Sequence, residues 1–130
     1  MEVKNIILSS FILIVLDILW LYFFMGNQYS PMIKKIQGSN IKVKWYYAVG
    51  AYLLMIFALY YFVLRDINND TKNKMRKALI NGALLGLIIY GIYNFTAAAV
   101  ISNWSHHIIL FDILWGTFVF SISAFIGTLI

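Results

Sequence analysis

The sequence predicts an all-α integral membrane protein, a bundle of four transmembrane helices joined by short loops, as a single domain over residues 1–130. Three observations carry this. The chain is 62% hydrophobic and only 12% charged, with a mean hydropathy of +0.82, whereas soluble domains run nearer a quarter charged. Four apolar runs, about 6–25, 45–64, 78–101 and 108–130, each have the ~20 residues that carry a helix across a hydrocarbon core. Every lysine and arginine lies outside those runs. Only helices and closed barrels satisfy all backbone polar groups in lipid, and these runs are too long for barrel strands.

Span one follows Lys4 and resembles a signal peptide at first sight. Its apolar stretch is too long for one, carries Asp17, and is followed by no small-residue cleavage site, so it reads as a retained span. The connection after it carries Lys34, Lys35, Lys42 and Lys44. Ser30-Pro31 can open a short interfacial helix there, with Met32, Ile33 and Ile36 on one side and Lys34 and Lys35 on the other. An irregular loop fits the same residues. Span two has Trp45, Tyr46, Tyr47, Tyr60 and Tyr61 at its ends, as an interfacial aromatic belt would place them, and Trp104 marks another boundary. Tyr52, Tyr90 and Tyr93 lie deeper and are the better candidates for an aromatic-lined cavity.

The second connection sets Arg65, Lys72, Lys74, Arg76 and Lys77 against Asp66 and Asp70. Span three contains Gly82-Ala83-Leu84-Leu85-Gly86, a small-xxx-small pattern that lets helices approach closely. Gly82 and Gly86 are therefore assigned to helix packing; a phosphate cradle would need a strand-turn-helix context that is absent. The third connection is so short that spans three and four form an antiparallel hairpin. Lys4 and the second connection carry six basic residues against four in the first, which favours both termini in the cytoplasm.

Several chemistries are excluded or disfavoured. Without cysteine there are no disulfides, iron–sulfur clusters or thiolate sites. The net charge of +5 flanks apolar runs, so the partner it implies is the lipid bilayer and its headgroups, not nucleic acid. No span contains a lysine for a Schiff base. His106 and His107 are adjacent and share no clean face with Asp112, a poor metal set, and neither metal nor cofactor is expected. The sequons Asn69-Asp70-Thr71 and Asn103-Trp104-Ser105 arise readily by chance, and Asn94-Phe95-Thr96 fits the same pattern but lies in a span.

Asp17 and Asp112 are the two acids inside spans. An aspartate at a helix centre costs ~2.5–3.5 kcal/mol on insertion scales, and an intramembrane carboxyl is a functional candidate by default. Both stand in the same string, Asp17-Ile18-Leu19-Trp20 and Asp112-Ile113-Leu114-Trp115, with an indole donor three residues on and on the same helix face. The repeat suggests pseudo-symmetry between spans one and four. At 1.5 Å per residue, Asp17 lies ~12 Å, Asp112 roughly 6–12 Å and Asn94 about 10 Å below one membrane face. One depth is what a buried site requires, and also what interhelical hydrogen bonding requires.

Asp17-Ile18-Leu19-Trp20-Leu21, Gly82 and Gly86, Tyr93-Asn94-Phe95-Thr96 and Asp112-Ile113-Leu114-Trp115-Gly116 occur in that order. In this the chain resembles domain-of-unknown-function family 2177, predicted membrane proteins, along nearly its whole length. The resemblance implies a four-span fold and no established activity. The family pattern has aspartate where this chain has Asn94 and asparagine where it has Ala97, so a third acid is missing here.

The leading functional expectation is a small channel or transporter component handling protons or cations. Asp17 and Asp112 would bind or relay the charge, and Trp20, Trp115, Asn94 and Tyr93 would form the supporting shell. Four short spans suggest a homo-oligomer, with the Gly82/Gly86 face as one packing surface. A membrane-embedded enzyme acting on a lipid or lipid-soluble substrate is the first alternative. A structural or assembly protein of a cellular or viral membrane is the second.

Overall fold

The computed structural model describes residues 2–67 and 73–129; Asp70, Lys72 and the sequon Asn69-Asp70-Thr71 lie outside them. The fold is all-α, with no strand among the described residues. Helix α1 is Val3–Phe24. It runs through a π-helical turn, Met25–Tyr29, into α2, Ser30–Gln37. Helix α3 is Trp45–Leu59 and ends in a second π turn, Tyr60–Leu64. Helices α4 and α5 are Lys74–Val100 and His106–Gly127. Four helical segments are long and apolar enough to cross a membrane, the first running from Val3 to Gln37.

Helix α5 is the centre of the bundle. Its buried residues Ile108, Asp112, Gly116, Phe120 and Ala124 form one ridge at four-residue steps, and Val119, Ser123 and Gly127 form a second. Residues three and four apart stack on one helix face, so α5 offers two adjacent ridges to two neighbours. α1 answers with Asn5, Ser9, Leu13 and Asp17, and α4 with Ala78, Gly82, Gly86 and Asn94, also at multiples of four. This is ridges-into-grooves packing by i±4 rows.

The closest approach is between α4 and α5. A Cβ placed on Gly82 would come within 2.6 Å of the Phe120 carbonyl oxygen, and one on Gly86 would strike the Gly116 carbonyl. Ser121 Oγ adds a hydrogen bond to the Leu79 carbonyl at 2.8 Å. The Gly82/Gly86 face is thus occupied inside the chain. This corrects the expectation that it joins copies: a surface already filled by α5 leaves no room for a second chain.

α1 and α5 run antiparallel. Asn5 Nδ2 donates to the Gly127 carbonyl at 2.7 Å at one end, and Phe24 meets Phe111 edge-on at the other. α3 behaves differently. Leu59, Val63, Leu64 and Ile67 enter the main core with Leu13, Ala78, Val119, Phe120 and Ala124. Its first turns stand away, with Trp45, Tyr46, Tyr47, Leu53 and Leu54 exposed. The helix is held at one end and splayed at the other, which opens a cleft. At the held end the Arg65 guanidinium lies 3.9 Å from the Tyr61 ring centroid. Hydrogen bonds to Tyr61 and Asp66 raise its pKa, so this cation marks the span's end at any physiological pH.

The first connection is shorter than its sequence suggests, because α1 continues through the π turn into α2. Met32 is buried, Ile33 and Ile36 pack beside it, and Lys34 and Lys35 are exposed. Of the two readings the short amphipathic helix is the one observed, but its apolar side rests on protein. Gly38 closes it in the left-handed conformation (φ 77°), its N–H reaching the Lys34 carbonyl at 2.8 Å. Trp104 departs from the belt expectation. It is buried against Tyr29 and Tyr93, with ring centroids 5.9 and 6.1 Å away, since the tight α4–α5 turn folds it inward.

Candidate functional site

Asp17 and Asp112 are both buried, on α1 and α5, and line the same cavity. Asp17 Oδ1 accepts hydrogen bonds from Tyr90 Oη at 2.7 Å and Trp115 Nε1 at 3.2 Å. Its Oδ2 accepts one from Tyr52 Oη at 2.9 Å. Asp112 Oδ1 accepts from Trp20 Nε1 at 3.3 Å, and Oδ2 from Asn94 Nδ2 at 2.6 Å. Asn94 also donates to the Tyr90 carbonyl one turn back, at 2.9 Å, which fixes its carboxamide. All four carboxyl oxygens therefore have donors, contributed by α1, α3, α4 and α5.

The two Asp-Ile-Leu-Trp strings serve each other. Trp20, one turn after Asp17, donates to Asp112; Trp115, one turn after Asp112, donates to Asp17. The indoles stack with centroids 4.8 Å apart and planes 6° from parallel. Spacing puts each indole on its own acid's helix face, and antiparallel packing then carries each donor to the partner helix's acid.

Tyr93 lines the cavity but has no hydrogen bond to either carboxylate; that role falls to Tyr90, three residues earlier. The reason is Gly116. A Cβ there would collide with the Tyr90 ring, so the missing side chain makes the room in which Tyr90 reaches Asp17. Tyr52 and Tyr90 were legible only as deep tyrosines, and Gly116 only as the residue after Trp115.

The cavity has a volume of about 840 Å³. Its walls are largely apolar: Leu21 of α1, Leu54, Met55 and Phe57 of α3, Ile89 of α4, with Ile41 and Val43 from the connection at one end. Leu54 and Phe57, which line the cavity, are also exposed. The cleft is thus open beside α3 and runs inward to the two acids. Neither acid has a basic side chain in salt-bridge contact among the described residues, where the ion pairs are Lys4–Glu2 and Arg65–Asp66. His106 and His107 are exposed at the start of α5, and no group of three or more His, Cys, Asp or Glu forms a metal site among the described residues.

Such a site can hold a polar group in an apolar surrounding, shield it from water and supply two carboxylates in fixed positions. No curated protein and no solved structure matches the chain. A family model does, over residues 2–129. With four membrane-spanning helices converging on that site, the chain belongs to the predicted membrane protein family of domain of unknown function 2177.

Proposed function

We propose that the protein is a membrane transport or binding component that takes a lipid-soluble molecule into the cleft beside α3 and holds its polar end at Asp17 and Asp112. One observation carries this reading: an apolar cavity of about 840 Å³ that ends on two donor-fixed carboxylates. Small-molecule sites run ~300–1,000 Å³, with apolar walls and a few placed polar groups. Bare cations call for a lining of oxygens, and the walls here are mostly hydrocarbon.

Photolabelling in nanodiscs tests it. A neutral alkyl probe bearing a diazirine should mark Met55 and Ile89 inside the cleft. Ala58→Phe, which fills the cleft from the α3 wall, should remove that labelling. Marks confined to outward residues such as Ile7 and Phe11 would sink the reading.

A second reading keeps the original expectation of proton or cation handling. It is supported by two buried acids that no basic side chain neutralises among the described residues, joined through Tyr90 and Asn94 in one hydrogen-bonded network. It requires proton or monovalent-cation flux in proteoliposomes that Asp17→Asn and Asp112→Asn abolish. Flux unchanged in both variants would end it.

A further inference from the structure

We infer that the molecule held in the cleft carries an ammonium group on an apolar body, that is, a lipophilic amine. The inference rests on the cleft reading above and concerns the chemistry of the ligand's polar end.

Charge is the first argument. Both acids of the bundle interior open on the same cavity, and the described residues give them only neutral donors. A buried charge needs a partner charge, and ionisable groups inside membranes pair with one another or face a cavity. An ammonium on the occupant supplies that complement, where an unpaired buried carboxyl would instead take up a proton. Three of the five donors, Trp20, Trp115 and Asn94, are N–H groups that can only donate, the set an acceptor-only carboxylate takes. An anionic head would face two acids; a neutral one would bring no charge to pair with them.

Acceptors are the second argument, independent of charge. Asn94 is fully buried beside Asp112, and its Oδ1 has no hydrogen-bond partner. A native structure pairs most buried acceptors. On the cavity wall itself Asp17 accepts three hydrogen bonds and Asp112 two, against about four lone-pair sites on a carboxylate, and an ammonium brings donors without acceptors. Aromatic faces are the third. Tyr29, Tyr90 and Tyr93 line the cavity, and a cation within about 6 Å of a ring centroid is attracted to it. The apolar walls then suit an alkyl or aryl body, which enters from lipid without crossing water.

The test uses the neutral diazirine probe as reporter, in nanodiscs of zwitterionic lipid at pH 7. Labelling of Met55 and Ile89 is competed with dodecylammonium, dodecanol or dodecanoate. Dodecylammonium should compete about tenfold or more better than dodecanol, the scale of one desolvated charge pair, and dodecanoate should be weakest. Asp17→Asn and Asp112→Asn should each cut the ammonium advantage while dodecanol still competes, which shows the variants folded; Asp112→Glu should keep it. Equal competition by all three in the unaltered protein, or a preference for dodecanoate, overturns the ammonium inference and leaves the cleft reading standing. Failure of the reporter to label the cleft at all removes both. The selectivity of the unaltered protein decides the matter even if an Asn variant fails to fold.

Discussion

At the residue scale the indoles of Trp20 and Trp115 are the parts most open to test. Each gives its N–H to the other helix's acid, and the rings stack. Phenylalanine keeps much of the stacking area and removes the donor. Trp20→Phe or Trp115→Phe should therefore destabilise by about 1–3 kcal/mol, the cost of a buried polar group losing a partner. The two sites touch, so the double variant should depart from additivity by ~0.5–3 kcal/mol. Equilibrium unfolding in mixed micelles measures all four corners of the cycle. Strict additivity would mean that the two Asp-Ile-Leu-Trp strings act separately. Tyr90→Phe and Tyr93→Phe form a second comparison in the same assay. Tyr90 donates to Asp17 while Tyr93 is half exposed, so Tyr90→Phe should cost about 1–3 kcal/mol and Tyr93→Phe much less.

At the element scale, glycines on one helix separate close packing from mere smallness. Gly86 sits against the Gly116 carbonyl, whereas a Cβ on Gly91 meets nothing within 4 Å. Gly86→Ala should push α4 off α5 and destabilise by ~1–3 kcal/mol, as overpacking does. Gly91→Ala should be neutral or stabilising by up to ~1 kcal/mol, because alanine loses less backbone freedom in a helix. Thermal unfolding in detergent ranks the pair; equal losses would refute the close approach. The spans themselves were legible because lipid demands long apolar helices, a signal no neighbour alters. The surface that Gly82 and Gly86 serve was not: small-xxx-small spacing says a helix approaches closely and is silent on whether the partner is the same chain. The continuation of α1 through a π turn into α2 was equally hidden. Met25-Gly26-Asn27-Gln28-Tyr29 has the polar residues and glycine of a loop, and it stays helical because Tyr29 and Met32 pack on Trp104 and Ile108. Tertiary contact there outweighs local propensity.

At the scale of the whole molecule, α1 and α5 form an inverted pair. Exchanging them maps Trp20→Asp112 onto Trp115→Asp17, and because the helices are antiparallel the relating axis lies across the bundle, in the plane of the membrane. The four-letter repeat was visible in the sequence, as was the common depth of Asp17, Asp112 and Asn94. The exchange of partners was not, since it depends on which helices are neighbours. Tyr52 entered the site for the same reason: α3 leans in only far enough for its hydroxyl to reach Asp17, leaving the rest of its inner face to the cleft. The helix directions also divide the polar ends of the chain into two sets. Lys4, Arg65 and Lys74 share one face of the bundle with the α5 C-terminus, and Lys35, Lys44 and Asn103 share the other. The chain has no cysteine, so single-cysteine variants report each position cleanly. If the greater number of basic residues on the first face holds it in the cytoplasm, a membrane-impermeant maleimide added to intact cells should label Lys35→Cys and Asn103→Cys and spare Lys4→Cys and Lys74→Cys until the membrane is opened. The reverse pattern would invert the orientation and keep the fold. Labelling of one residue from each set on the same side would contradict the four-span topology, and with it the meeting of Asp17 and Asp112 at one depth.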